Sequence, residues 1–180
     1  MSRRFRPTDA FVDESIRGRR YLMGCVLIEA KHLASVRADV EGLVLTGGRV
    51  HFHNESARRR RDILAQFTEY PISAFVVICH RNHGITEFRA REQCLSEIVL
   101  HLQRDAVPHL VMESRHDDRE DHRTIPRARR VEPPLVWEHR LGAEESLLWI
   151  ADGITWAVGA GAAWRQLIDP ILRDVIELRP

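Results

Sequence analysis

Lysine is almost missing from this chain. Of its 27 basic residues only Lys31 is a lysine, and 26 acids leave a net charge of +1. A balance so close to zero carries no whole-molecule signature for a polyanion. The arginine bias reads mainly as composition. It still matters locally, because a guanidinium fork fits phosphate oxygens better than an ammonium does. Cysteine is scarce too: Cys25, Cys79 and Cys94 are odd in number, far apart and each in an apolar context. That excludes a disulfide framework and a cysteine-rich zinc site, and leaves buried free thiols. No apolar run approaches the roughly 18 residues that span a bilayer. The basic start, MSRRFRPTDA, is not followed by an apolar stretch of the secretory kind. The expectation is a cytoplasmic protein with no membrane partner.

What is present fits an ordinary globule, with 44% apolar and 29% charged residues in 180. No internal repeat or linker is visible, so a single domain over 8–180 is expected. Residues 10–15 and 21–29 read as strands joined by a turn at Gly18. Apolar positions 33, 36, 40, 43 and 44 have helical spacing, ended by Gly47 and Gly48. RVHFHNES reads as a short extended piece, with Asn54 or Ser56 capping a helix over 57–69. ISAFVVICH, 72–80, is a continuous apolar run of the kind covered on both faces. A helix over about 86–105 and the strand HLVMES follow. Residues 115–134 read as a charged, proline-bearing loop with one helical turn at most. LVWEHR is a strand, 144–162 an apolar helix and 164–177 a terminal helix nicked at Pro170. The order implies an α/β mixed sheet flanked by helices.

Two of these strands end in an acid followed by serine: FVDES at Asp13–Glu14 and LVMES at Glu113. If the strands are parallel in one sheet, both acids reach its carboxyl edge, where open α/β sheets bind ligands. The two-residue strand period puts Phe11, Asp13 and Ser15 on one face and Glu14 on the other. Asp13 is therefore the inward residue and Glu14 an auxiliary one. A third acid, Asp152, interrupts a helix that is apolar nearly all round, and burying a lone carboxylate costs several kcal/mol unless it is paired or metal-bound. Glu145, seven residues earlier, falls on nearly the same helical face. Convergence of Asp13, Glu113 and Asp152 gives an all-oxygen set suited to Mg²⁺ or Mn²⁺. The plainer alternative is that Asp13 caps a turn while Glu113 and Asp152 each pair with an arginine.

FVDES, RVHFHNESARRRRDIL, LVMES and EESLLWIADGITWAV, in that order over residues 10–160, resemble the domain of unknown function 3800 family. The resemblance implies a ribonuclease H-like fold and a metal-dependent nuclease. It places Asp13 with Glu14 in the first acidic motif, Glu113 after the later strand and Asp152 in the late helix. There are two departures. The middle motif lacks the family's lysine near its histidine, and Glu113 stands where aspartate is commoner.

His51, His53 and Glu55 alternate, so on a strand they would share one face, either as a zinc site or with His53 orienting water beside the carboxylates. The alternative is an edge strand of solvated residues. Arg58, Arg59, Arg60 and Arg61 form a run that suits phosphate contacts, at the cost of crowding a helix N-terminus with cations. The leading expectation is a nuclease with Asp13, Glu113 and Asp152 as ligands, Glu145 and Glu14 auxiliary and nucleic acid as partner. The rivals are an inactive module that binds nucleic acid or protein, a zinc protein on His51, His53 and Glu55, and a homo-oligomer using the apolar 144–164 helix as its interface.

Overall fold

The computed structural model describes residues 5–45, 48–81, 84–115 and 118–179. The first expected pair of strands is a hairpin, β1 (Asp9–Arg17) and β2 (Arg20–Ile28), in continuous antiparallel register with Gly18 and Arg19 as its turn. α1 (Leu33–Glu41) follows. α2 (Ala57–Thr68) is capped by Ser56, whose hydroxyl accepts from the Arg59 N–H at 3.2 Å. Then come β3 (Ile72–His80), α3 (Glu87–Arg104) and β4 (His109–Glu113). α4 (Asp121–Ala128), β5 (Val136–Arg140), α5 (Leu148–Ala160), a single turn α6 (Ala162–Arg165) and β6 (Leu172–Leu178) complete the chain.

The six strands form one mixed sheet in the order β5-β4-β1-β2-β3-β6. β4 runs parallel to both β1 and β5, and β6 parallel to β3. Strand alternation sorts the apolar residues into two cores. Phe11, Leu22, Val26, Val76 and Val111 face α1, α2 and α5. Ala10, Val12, Met23, Val77 and Met112 face α3 and α4. β3 is buried on both faces, as its unbroken apolar run requires. Each fully buried leucine, isoleucine or phenylalanine contributes roughly 1.5–3 kcal/mol.

α5 is the helix that positions the site. It is buried nearly all round because it lies directly on the hairpin. A Cβ on Gly24 of β2 would land on the Thr155 hydroxyl, so only glycine admits so close an approach. The interface reading of this helix is therefore corrected: its apolar surface belongs to the chain's own core.

Three other expectations are corrected. The terminal helix over 164–177 is a single turn followed by strand β6. Pro170 removes an N–H and blocks helix continuation. Apolar residues at 171, 172, 175 and 176 mimic a helical stripe because a register shift beside Ala74 and Phe75 breaks the alternation of the strand pair. The 115–134 loop contains two turns of helix, α4, which bury Ile125 against the α3 core. The piece expected to be extended at 51–55 coils into a 3-10 turn, Phe52–Asn54, which seats the Phe52 ring 5.3 Å from that of Trp156. Gly47, His83 and His116 lie outside the described residues. The three cysteines are free and buried, and no helix is long and apolar enough to cross a membrane.

Candidate metal centre

β1 and β4 are paired up to Val12 and Met112, so Asp13 and Glu113 are the next residues on neighbouring parallel strands. Phe11 and Val111, one strand period back, both face the α5 core, which aims Asp13 and Glu113 the same way. Their side chains lie within hydrogen-bonding reach of each other, and Asp13 also takes its neighbour Glu14's N–H at 2.7 Å. Asp152 approaches from the middle of α5 and accepts the Phe52 N–H at 3.0 Å. Burial holds the Asp13 carboxyl well above the ordinary aspartate range, and the negative charges of Glu113 and Asp152 push it further. Asp152 is also raised, first by burial. The Phe52 N–H lowers it, Glu113 raises it, and His51 and Arg49 lower it. Three acids 100 and 39 residues apart along the chain are thus in one electrostatic unit.

Arg49 stands over this unit. Its Nη1 donates to Glu113 Oε1 at 3.1 Å, and its Nη2 lies 3.1 Å from His51 Nδ1. Gly142 makes room for the pair, since a Cβ there would collide with both Glu113 Oε1 and Arg49 Nη1. The loop bearing Gly142 is pinned by the buried Trp149 indole, which donates to the Gly142 carbonyl at 2.5 Å.

Glu14 points to the opposite face. The Tyr21 hydroxyl and Arg91 both donate to its Oε2, and the Arg115 Nε lies 3.1 Å from its Oε1. Arg91 also forks onto Asp121 at 2.9 and 2.6 Å, and His139 Nε2 is 3.0 Å from the same carboxylate. Burial pushes the Asp121 carboxyl up, but the His139 and Arg91 bonds outweigh it and hold it at about 2. Asp118 joins through Ser114 Oγ at 2.7 Å and the Arg115 N–H at 2.9 Å. Among the described residues Asp118, Asp121 and His139 are the set of three whose ligand atoms lie within 4.8 Å of one another. Asp13, Glu113 and Asp152 are not drawn so tight. The tight set, however, is already served by a guanidinium fork, while in the looser set Asp13 and Asp152 are raised and one described arginine stands at the rim.

The other expected site residues are placed as follows. Glu145 does not share a helical face with Asp152, because α5 begins only at Leu148. Glu145 lies in the turn before it, held by Arg37 at 3.1 and 2.9 Å, and accepts the Leu147 N–H. Its assignment as a ligand is corrected to a brace between α1 and the start of α5. His53 is exposed on the 3-10 turn, and the histidine beside the acids is His51. Glu55 pairs with Arg59 at 3.6 Å, so His51, His53 and Glu55 do not converge as a zinc set. The arginine run is mostly structural. Arg59 donates to the Leu43 carbonyl. Arg60 donates to the Phe52 and His53 carbonyls at 2.8 and 2.5 Å and covers the Trp156 ring at 4.4 Å. Arg61 covers the Trp164 ring at 5.0 Å, and Arg58 is exposed. Successive helical residues turn by roughly 100°, so four in a row cannot grip one phosphate chain. Arg49, Arg91, Asp121 and His139 were missed, and for Arg91 and Asp121 no local pattern marks a buried pair 30 residues apart.

No family model matches this sequence, and no curated protein matches it. Among solved structures the chain is similar to Bst-RNase HIII in complex with Mn²⁺, with a TM-score of 0.56 at 12% identity, over 86% of this chain and 52% of that one. The fold is ribonuclease H-like. The chain spans about half the length of that structure. In this ribonuclease H-like frame Asp13 and Glu113 lie where the parallel pairing of β1 and β4 ends, with Asp152 of α5 beside them.

Proposed function

We propose that this protein is a metal-dependent nuclease that hydrolyses nucleic-acid phosphodiesters, and that it belongs with the domain of unknown function 3800 family. The observation that carries the reading is the approach of Asp13, midway along β1, to Glu113 at the end of β4, just past the last registered pair of the two parallel strands and under the field of Asp152. Desolvation and mutual repulsion hold Asp13 and Asp152 above the ordinary aspartate range, and an all-oxygen donor set without cysteine suits a hard cation. Similarity to a ribonuclease crystallised with Mn²⁺ supports the same assignment. Asp13, Glu113 and Asp152 would hold Mg²⁺ or Mn²⁺, which supplies water activation and charge stabilisation at the phosphorus.

The chain's own residues set the stage for that chemistry. The rigid strand pair fixes Asp13 and Glu113. The Phe52 N–H orients Asp152 from the other side. His51, joined to Arg49 and close enough to act on Asp152, is the histidine placed beside the acids in place of His53. Incubating pure protein with Mg²⁺ or Mn²⁺ and single- and double-stranded DNA and RNA tests the reading. Cleavage abolished by Asp13→Asn is expected, and its absence on every substrate counts against the proposal.

A second reading is an inactive ribonuclease H-like module that binds nucleic acid or protein. Arg49 on Glu113 favours it, since a guanidinium already neutralises that acid. Salt-sensitive nucleic-acid binding without Mn²⁺ binding would select this reading.

A further inference from the structure

Among the described residues Arg49 is the guanidinium that reaches the three acids. It bridges an acid at the metal edge and a histidine beside it, at 3.1 Å each. Its Nε is buried and has no hydrogen-bond partner among the described residues. The segment that carries it, residues 48–51, is irregular and is anchored by the buried Val50 and by Phe52 after it. Gly142 keeps open the space in which Arg49 and Glu113 meet. The three acids carry no other described guanidinium or ammonium partner at salt-bridge distance.

We propose that Arg49 is a resident counter-ion that shares Glu113 with the divalent cation and must release that carboxylate for the cation to bind. This rests on the metal-dependent reading above and deepens it by naming the residue that sets metal affinity. The physical reason is competition. A cation about 3 Å from a carboxylate oxygen occupies the direction in which that oxygen would ligate, and like charges at such range repel strongly in a partly buried site. Arg49 therefore weakens metal binding while keeping the metal-free acids from repelling one another. Once released, its fork is free on the same edge.

The test is calorimetric titration of Mn²⁺ into chelator-stripped wild type, Arg49→Ala, Arg49→Gln and Asp13→Asn. The expected result is binding about tenfold tighter in both Arg49 variants than in wild type, and none in Asp13→Asn. Binding by the variants but not by wild type supports the same competition in a stronger form. Equal or weaker affinity in Arg49→Ala and Arg49→Gln overturns the proposal and makes Arg49 a strut, leaving the nuclease reading intact. No binding by any of the proteins overturns both. Circular dichroism shows which variants are folded, and Arg49→Gln, which keeps the length of the side chain, carries the test if Arg49→Ala is not.

Discussion

Asp13 and Glu14 are neighbours on one strand, yet they live in opposite electrostatic worlds. Glu14 joins a network in which Tyr21, Arg91, Arg115, Asp121 and His139 match each charge with another. Asp13 joins Glu113 and Asp152, and burial with like charge raises its carboxyl. One face of the sheet edge is balanced, and its Asp121 is held at about 2. The other is deficient in positive charge. A fold spends stability on such a deficit where a cation or substrate is to complete it. The difference teaches that the tightest cluster of ligand atoms is not necessarily the site: the Asp118, Asp121 and His139 set is close because it is satisfied.

The largest effect should come from the balanced face. Arg91→Ala leaves Glu14 and Asp121 without their shared cation, and breaking a buried pair by removing one partner costs about 3–5 kcal/mol. For a domain of this size that lowers the melting temperature by about 6–20 °C. Adding Glu14→Gln and Asp121→Asn to Arg91→Met should recover most of the loss, because neither carboxylate is then left without its cation. A drop of only a degree or two in Arg91→Ala would show that the network is solvated and not the rigid counterpart drawn here.

Next in size is the response to metal. At a hundredfold excess over its dissociation constant, a ligand specific for the folded state adds about 2.7 kcal/mol. Mn²⁺ should raise the melting temperature of wild type by several degrees, and of Asp13→Asn not at all. His139→Gln should retain the shift relative to its own metal-free baseline. Loss of the shift in His139→Gln with retention in Asp13→Asn would move the ion to the other face and invert the comparison.

How much of this was legible in the sequence follows from the same two faces. The strand period alone separated Asp13 from Glu14, and the buried character of α5 singled out Asp152. Both are local patterns. The balanced network was invisible because Arg91 comes from a helix, Asp121 from the helix expected to be loop and His139 from an edge strand. Arg49 was hidden in the same way, by an irregular segment with no period. Glu145 failed for a definite reason: helical arithmetic was applied across a helix start that the chain delays to Leu148. β6 failed because a bulge converted strand alternation into an apparent helical stripe.

A smaller effect concerns the cost of the deficient face. A carboxyl raised in the folded state binds its proton more tightly there than in the unfolded chain, whose aspartate value is about 3.9. Asp13 therefore contributes instability that is absent well below that value and grows as pH rises through it toward the folded value. Asp13→Asn should be more stable than metal-free wild type at neutral pH, by about 2–4 °C for roughly 1 kcal/mol, and the advantage should vanish near pH 3. Asp121 has the reverse sign: its stabilising ionised form is fully present above about pH 4 and is lost as pH falls toward 2. Melting curves of both proteins across pH separate the two contributions. An Asp13→Asn advantage that does not change with pH would locate the effect in packing, not in charge.

The smallest effect distinguishes two histidines two residues apart. The 3-10 turn at Phe52–Asn54 sends His53 to solvent, while its backbone carbonyl, not its ring, serves Arg60. Removing the ring removes no described contact, and exposed substitutions of this kind stay within about 0.5 kcal/mol. His51 holds Arg49 and lowers the Asp152 carboxyl. His53→Ala should leave stability, the Mn²⁺ shift and any cleavage as in wild type, whereas His51→Ala should alter the metal response without unfolding the chain. Equal, large losses in both variants would mean that the turn opens when the site is loaded and that the alternating His-x-His arrangement forms after all. The contrast thus tests whether the backbone turn at Phe52, which no side-chain pattern announces, decides which histidine the site can use.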